Sequence, residues 1–522
     1  MATKLLKLFV ISSVLAMILF PGSQPVMAQP TGEIKILASM LGGENPIPRH
    51  ASIHALDVWG LLYDHLVGST PDGRLSTQHS LAERWEMTPD GLTWTFTLKK
   101  GIKFHNGDEL TAKDVKFSLE QVIRPDSQSG QAGYLRSTIQ NMEVKGPYTI
   151  VIKCKNRSLF FHEMLSNILA CDGMIIPKDY YEKVGEDGFF KHPIGSGPYK
   201  FHSQVVGSFI KLEAIDKHWR DGVPRFKYLT YMIIPEASTQ LAMLKTGEGN
   251  IARISRDRVK DALDAGLKIV RKDNAAVILL HTNMQWTSPV FSDIRFRKAL
   301  NLAIDKEAII KHIMAGMGTP FAEYPGKNAL TCGGDPALKP YPYAPDEARR
   351  LIKEGGHEGH EFTMVTYPRS GLPEYPRIVE AVVGYWQKIG LKPKIQMTDW
   401  ATWRERWDAR KTQNTAQGYD DTSNPVCGSI VERNRSKFYS KSTRAICAIP
   451  ALDERFEKIL NSVDLTEVSR LMGEISRYVY DQYIIIPICE IPDVLATTPK
   501  VPEWNPGSRR NDRNFSDLIR QR

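Results

Sequence analysis

Residues able to do covalent or metal chemistry are few in this chain, and their spacings point away from catalysis. There is no G-x-x-x-x-G-K-[ST], no H-E-x-x-H and no G-x-S-x-G. In His357-Glu358-Gly359-His360 two histidines stand three apart, a spacing that could open a nickel ligand set. The flanking glycines read instead as a loop with solvated histidines. Gly418-Tyr419-Asp420-Asp421-Thr422-Ser423-Asn424-Pro425 offers two carboxylates, and Asp420 or Asp421 could salt-bridge an ammonium. The Asp, Asn, Ser and Pro content of that run otherwise reads as a turn. Six cysteines, Cys154, Cys171, Cys332, Cys427, Cys447 and Cys489, show no C-x-x-C spacing and no histidine at metal-ligand distance. No cofactor and no resident metal are expected.

The elements that must position such groups are clearest from Leu81 to Ile123. Leu92, Trp94, Phe96 and Leu98 alternate with Thr93, Thr95 and Thr97, which puts the apolar side chains on one face of a half-buried strand. Pro89-Asp90-Gly91 and Lys99-Lys100-Gly101 bound it with tight turns. Thr111 and Asp114 have the spacing of a capping box, and Val115, Leu119, Val122 and Ile123 form the inward stripe of the helix that follows. Elsewhere Gly32–Ser39 reads as a first strand running into the glycine loop Met40-Leu41-Gly42-Gly43-Glu44. Leu56–Leu66 reads as a helix, as do Ala237–Thr246, Phe291–Lys306 with a cap at Ser292, and Pro376–Ile389. The physics of these elements alone gives an α+β organisation.

Met1–Ala28 carries Lys4 and Lys7, an apolar core from Leu8 to Phe20, then Pro21-Gly22 and Val26-Met27-Ala28, the pattern of a secretory signal cleaved after Ala28. Its 13 residues, interrupted only by Ser12 and Ser13, fall short of the ~20 that span a bilayer. No cysteine near the cleavage site suggests a lipid anchor, so a soluble, exported protein is expected. The remaining chain of about 490 residues exceeds what one core organises, and at least two lobes follow. The net charge of +9 loses Lys4 and Lys7 with the signal, leaving +7. Basic residues cluster only at the end, at Arg509, Arg510, Arg513, Arg520 and Arg522, which reads as a solvated face rather than a nucleic-acid stripe. In the oxidising compartment that export implies, an even cysteine count suggests disulfides.

The run from Leu81 to Ser118, LAE-x-W then PDG-x-x-W-x-F-x-L-x-x-G-x-x-F-H-x-G-x-x-x-x-A-x-D-V-x-F-S, resembles the family-5 extracytoplasmic solute-binding proteins of ATP-binding-cassette importers. Further matches are Pro193–Phe201, Trp219 with Arg220-Asp221-Gly222-Val223-Pro224, Phe291–Lys306 and Trp386–Pro393. His218 stands where the family usually has tyrosine. The resemblance implies an α/β, two-lobed periplasmic-binding-protein fold with hinge strands and an extra small α+β subdomain in the first lobe. Residues 29–276 with 490–522 would form lobe I, its subdomain at about 55–190, and 277–489 would form lobe II. Val277–Asn283 and Tyr483–Cys489 would be the two crossings.

The same resemblance implies a site in an interlobe cleft. Counting back from Trp386, Arg369 falls on the arginine that holds the peptide carboxylate in dipeptide-binding relatives, a task suited to a guanidinium. Gly418, Tyr419, Asp420 and Asp421 fall on the loop that holds the ammonium, here one residue shorter, a departure from the family's pattern. Met40 and Leu41 would lie on the cleft wall, and Trp286 is a further ligand-binding candidate. The family often has a disulfide where Cys427 and Cys447 stand, whose loop of about 20 residues would stabilise by roughly 3 kcal/mol; Cys154–Cys171 is a second candidate pair. The implied function is the binding component of an importer: a monomer that takes a peptide or peptide-like solute, delivers it to the permease, and binds no nucleic acid. An opine-like compound or a nickel chelate is the alternative cargo, and a secreted hydrolase a third possibility that the absent motifs disfavour.

Overall fold

The computed structural model describes residues 29–41, 43–52, 55–169, 171–367, 372–422, 425–507 and 515–520. The signal at 1–28 and Arg369 lie outside them, as do the tail arginines except Arg520. The alternation around Trp94 becomes a strand because its two faces meet different surroundings. Trp94, Phe96 and Leu98 are buried, while Thr93, Thr95 and Thr97 are half-buried. Leu92 does not join them: it sits in the preceding turn, 36% exposed.

Among the described residues fourteen strands follow in chain order, beginning with β1 (Glu33–Ala38), β2 (Ala82–Met87), β3 (Thr93–Leu98), β4 (Ile139–Val144), β5 (Thr149–Cys154), β6 (Tyr199–Val205) and β7 (Phe209–Ala214). They continue with β8 (Tyr228–Ile233), β9 (Ile251–Arg253), β10 (Lys268–Thr282), β11 (Glu361–Thr366), β12 (Lys392–Met397), β13 (Thr415–Thr422) and β14 (Ile486–Thr497). Four of them form an antiparallel sheet of order β2-β3-β5-β4. The Ala112–Val122 helix packs on that sheet, started by Thr111 N–H donating to Asp114 Oδ2 at 2.9 Å, with Val115, Leu119 and Val122 buried. This small unit has its own apolar core. The other ten strands form one sheet of order β12-β11-β13-β10-β14-β9-β1-β8-β7-β6.

That long sheet serves both lobes. Lys268–Lys272 of β10 pair with Asp493–Thr497 of β14, whose end also pairs with β9 on the first lobe. Past a register break between Lys272 and Ala276, β10 pairs with Ile486–Ile491 and with β13 on the second lobe. Asn274 lies in the break with φ 52°, a left-handed conformation that asparagine tolerates better than most residues. The register break between Lys272 and Ala276 comes just before the expected crossing Val277–Asn283, and of the expected return crossing Tyr483–Cys489 the residues Tyr483–Ile485 precede β14.

Two helix readings are corrected. Leu56–Leu66 is helical only over Leu56–Trp59. Beyond it the backbone finds other partners: Leu61 O and Leu62 O accept from Tyr199 N and Gly197 N, and Leu66 N donates to Gly173 O. The helix after Phe291 is broken and restarted at Ile294–Leu302, where Asp293, not Ser292, accepts from Arg295 N at 2.9 Å. His218 is buried between Asp64 Oδ2 (3.1 Å) and Asp221 Oδ2 (3.0 Å), and these two carboxylates raise its pKa against the opposing effect of burial. Arg520 pairs with Asp221 at 2.8 Å, so this tail arginine is tied into the fold.

Candidate functional site

The Gly418–Asp421 run is part of β13 rather than a loop: hydrogen bonding to β10 sets Gly418 opposite Leu280 and Asp421 opposite Val277. A strand edge competes successfully with turn composition because its backbone groups gain ladder partners. The chain then turns into the Cys427–Phe438 helix. Arg433 and Lys437, one turn apart on that helix, both reach back to Asp421. Lys437 Nζ lies 3.4 Å from Asp421 Oδ2 and 2.7 Å from the Tyr324 hydroxyl, which itself donates to Asp421. Asp421 and Lys437 are 4% and 3% exposed. Burial, then Arg433 and Arg444, push the Lys437 ammonium well below its ordinary range.

The start of this helix is stapled by a disulfide between Cys427 and Cys332, Cα atoms 4.9 Å apart, which overturns the expected Cys427–Cys447 pair. Cys447 lies near Phe438 O, at the other end of a helix of 12 residues. At 1.5 Å per residue that separates the two cysteines by roughly 18 Å, beyond the ~7 Å that a disulfide allows. Cys447 is a buried thiol, and so are Cys154 and Cys171, whose expected pairing is also absent, and Cys489.

The small subdomain closes over this helix. Gly130, Gln131, Met164 and Leu169 from the subdomain, with Asp421, Ser429, Glu432, Arg433, Ser436 and Lys437 from the second lobe, line an open cavity of about 330 Å³. At its side Gly428 N–H donates to Glu163 Oε2 at 2.8 Å, and Leu159 and Phe160 pack onto the second lobe's core. Glu163 is pushed up to about 8 by burial, opposed by that hydrogen bond. A Cβ on Gly428 would lie 2.4 Å from Glu163 Oε2, so the close approach requires glycine. Arg157 Nη1 donates to Asn461 O at 2.8 Å nearby. Beside the crossing strands a buried ion pair, Arg256 Nη1 to Glu374 Oε2 at 3.3 Å, also joins the two lobes. Arg256 Nη2 donates to Pro492 O of β14 at 2.7 Å.

Of the residues singled out in the sequence, Asp421 borders the cavity, already neutralised. The side chains of Tyr419 and Asp420 lie outside what is described, as does Arg369. Gly418 is held against Tyr375, whose hydroxyl would lie 2.4 Å from an added Cβ. Met40 is 56% exposed just past β1, and Leu41 is buried in the first lobe's core. Trp286 is 37% exposed in the turn beyond the far end of β10, and the structure does not bring it to the cavity. His357 and His360 are not solvated: His357 Nε2 meets Asp293 Oδ2 at 2.9 Å, and His360 packs edge-on to Phe291 and Phe296. Among the described residues no group of three or more His, Cys, Asp or Glu is placed to hold a metal, and no helix is long and apolar enough to cross a membrane. Sequence reasoning missed Glu163, Gly428, Arg433 and Lys437. The four-residue spacing of the last two was visible, but nothing local aimed it at Asp421.

The chain is 29% identical over 339 residues to the glutathione-binding protein GsiB of Pectobacterium atrosepticum, covering 65% of this chain and 63% of that protein. It is 29% identical over 377 residues to the oligopeptide-binding protein AppA of Bacillus subtilis, covering 67% of each. It thus spans a little under two thirds of the length of the GsiB relatives it matches. The ABC transporter substrate-binding protein CtaP of Listeria monocytogenes superposes with TM-score 0.80 at 21% identity, over 94% of this chain and 99% of that one. The fold is the two-lobed, α/β one of periplasmic binding proteins. Residues 77–429, more than half of the chain, match the family model for bacterial extracellular solute-binding proteins, family 5, middle region, and the chain belongs to that family.

Proposed function

We propose that the protein is the exported binding component of an ABC importer, which encloses a peptide or peptide-like solute between its lobes and presents the closed form to the permease. The observation that carries this reading is the polar cavity of about 330 Å³ between the small subdomain and the Cys427–Phe438 helix, set in front of two crossing strands. Crossing strands with a register break form a hinge, and a hinge behind a polar cavity suits capture by closure. Relatives named for binding glutathione and oligopeptides support the solute class. In this reading residues 29–276 and 490–522 move as one lobe and 277–489 as the other. Arg369 takes a solute carboxylate, and the exposed Met40 stands on the facing wall, with Leu41 buried behind it. The protein works as a monomer in the periplasm, cleaved after Ala28 and without a lipid anchor.

Thermal-shift screening of the mature protein against peptides, glutathione, opines, sugars and nickel tests the proposal. A cognate solute at 100 times its dissociation constant adds about 2.7 kcal/mol of stability. The expected outcome is stabilisation by peptides or peptide-like acids. Stabilisation by sugars or free nickel alone would overturn the reading.

A further inference from the structure

The wall of the cavity around Asp421 sorts the groups it would accept there. Asp421 is 4% exposed; Arg433 holds one oxygen, and Lys437 and Tyr324 hold the other. Glu432, the other carboxylate bordering the cavity, is held by Arg435 Nη2 at 2.7 Å. Both acids are therefore matched by protein cations before a solute arrives. An ammonium would have to displace a guanidinium or a buried lysine to reach either one, exchanging one ion pair for another at the cost of stranding a cation.

Donors, by contrast, are in surplus. A guanidinium carries five N–H groups, and among the described residues those of Arg433 meet only Asp421 and Ser429 Oγ (3.3 Å). Ser429 and Ser436 add hydroxyls to the same wall. Arg433 and Lys437 share Asp421, Arg435 is held by Glu432, and the neighbouring Arg444 is matched by Asp408 at 2.9 Å.

We propose that the solute presents a carboxylate, not an ammonium, to the Asp421 end of the cavity, with Arg433 as the specificity-determining residue. The cargo is then a peptide-like acid whose α-amine is replaced or acylated by a carboxylate-bearing group. This rests on the reading of the cavity as the solute site.

Calorimetric titration of the full mature protein with three probes on one Ala-Leu scaffold tests it: the free amine, the N-acetyl form and the N-succinyl form. The expected order is succinyl tightest, acetyl intermediate and free amine weakest, the extremes differing by about tenfold or more. Arg433→Met should shrink that difference to about threefold or less, and Arg433→Lys should restore part of it. Should Arg433→Met fail to fold, Arg433→Gln takes its place, and the wild-type order already decides. A free amine that binds tightest, or an order untouched by the Arg433 variants, overturns the inference and leaves the solute-binding reading standing. Binding of none of the three, with no shift in melting temperature, removes both.

Discussion

Glu163 of the small subdomain and Gly428 of the second lobe are joined by a hydrogen bond of 2.8 Å from a backbone N–H at a helix start to a buried carboxyl. In the proposed closure the two residues belong to bodies that part as the cleft opens, so the contact tests that proposal. Gly428→Ala inserts a Cβ 2.4 Å from Glu163 Oε2 and 2.6 Å from Phe160 Cβ. Overpacking of this kind costs about 1–3 kcal/mol. The cognate solute should bind at least about fivefold more weakly, and small-angle scattering should show a more open liganded form.

The same carboxyl gives closure a pH dependence. Burial raises Glu163 from its ordinary 4.5 to about 8. Between these values the closed form keeps a proton that the open or unfolded form has released, so its stability falls as pH rises through that window. Solute affinity should therefore decline from about pH 5 towards pH 8, and Glu163→Gln should flatten the profile. An unchanged profile in the variant would place the titration elsewhere.

Peptide mapping under non-reducing conditions should recover Cys332 linked to Cys427, with Cys154, Cys171, Cys447 and Cys489 as thiols. The bond closes a loop across a separation of 95 residues. Its loss in Cys332→Ser should cost about 4–5 kcal/mol in the chain-entropy model and loosen the helix that carries Arg433 and Lys437.

Asp421→Ala leaves the buried Lys437 and the half-buried Arg433 without their shared counter-charge. Removing one member of such a set costs about 3–5 kcal/mol, which chemical denaturation of the unliganded protein would read. Adding Lys437→Met should recover part of the loss, since one stranded cation goes with it.

Arg369→Ala should weaken the cognate solute by roughly 10²–10³, the 3–5 kcal/mol of a broken desolvated pair, while the unliganded melting temperature stays nearly unchanged. Calorimetry on both proteins checks this. A change below about fivefold would make Arg369 a surface residue.

By itself the sequence determined the local elements and the family. Trp94 and Phe96 declared their buried face through a period of two, and the Thr111–Asp114 cap and the Val115 stripe were legible because each depends on residues within one or two turns. It did not determine which distant groups meet. Cys427 was matched with Cys447 on the family's pattern, which says nothing of the rigid helix that starts at Cys427, whereas the fold brings Cys332 across 95 positions. Asp421 looked available to a solute because its partners lie 12 and 16 residues on and, at Tyr324, 97 residues back. Glu163 and Gly428 are 265 residues apart and carry no local signal at all. Periodicity encodes which face of an element is apolar. Ion pairs, disulfides and contacts across a cleft depend on how whole elements are placed, and only the tertiary structure fixes that.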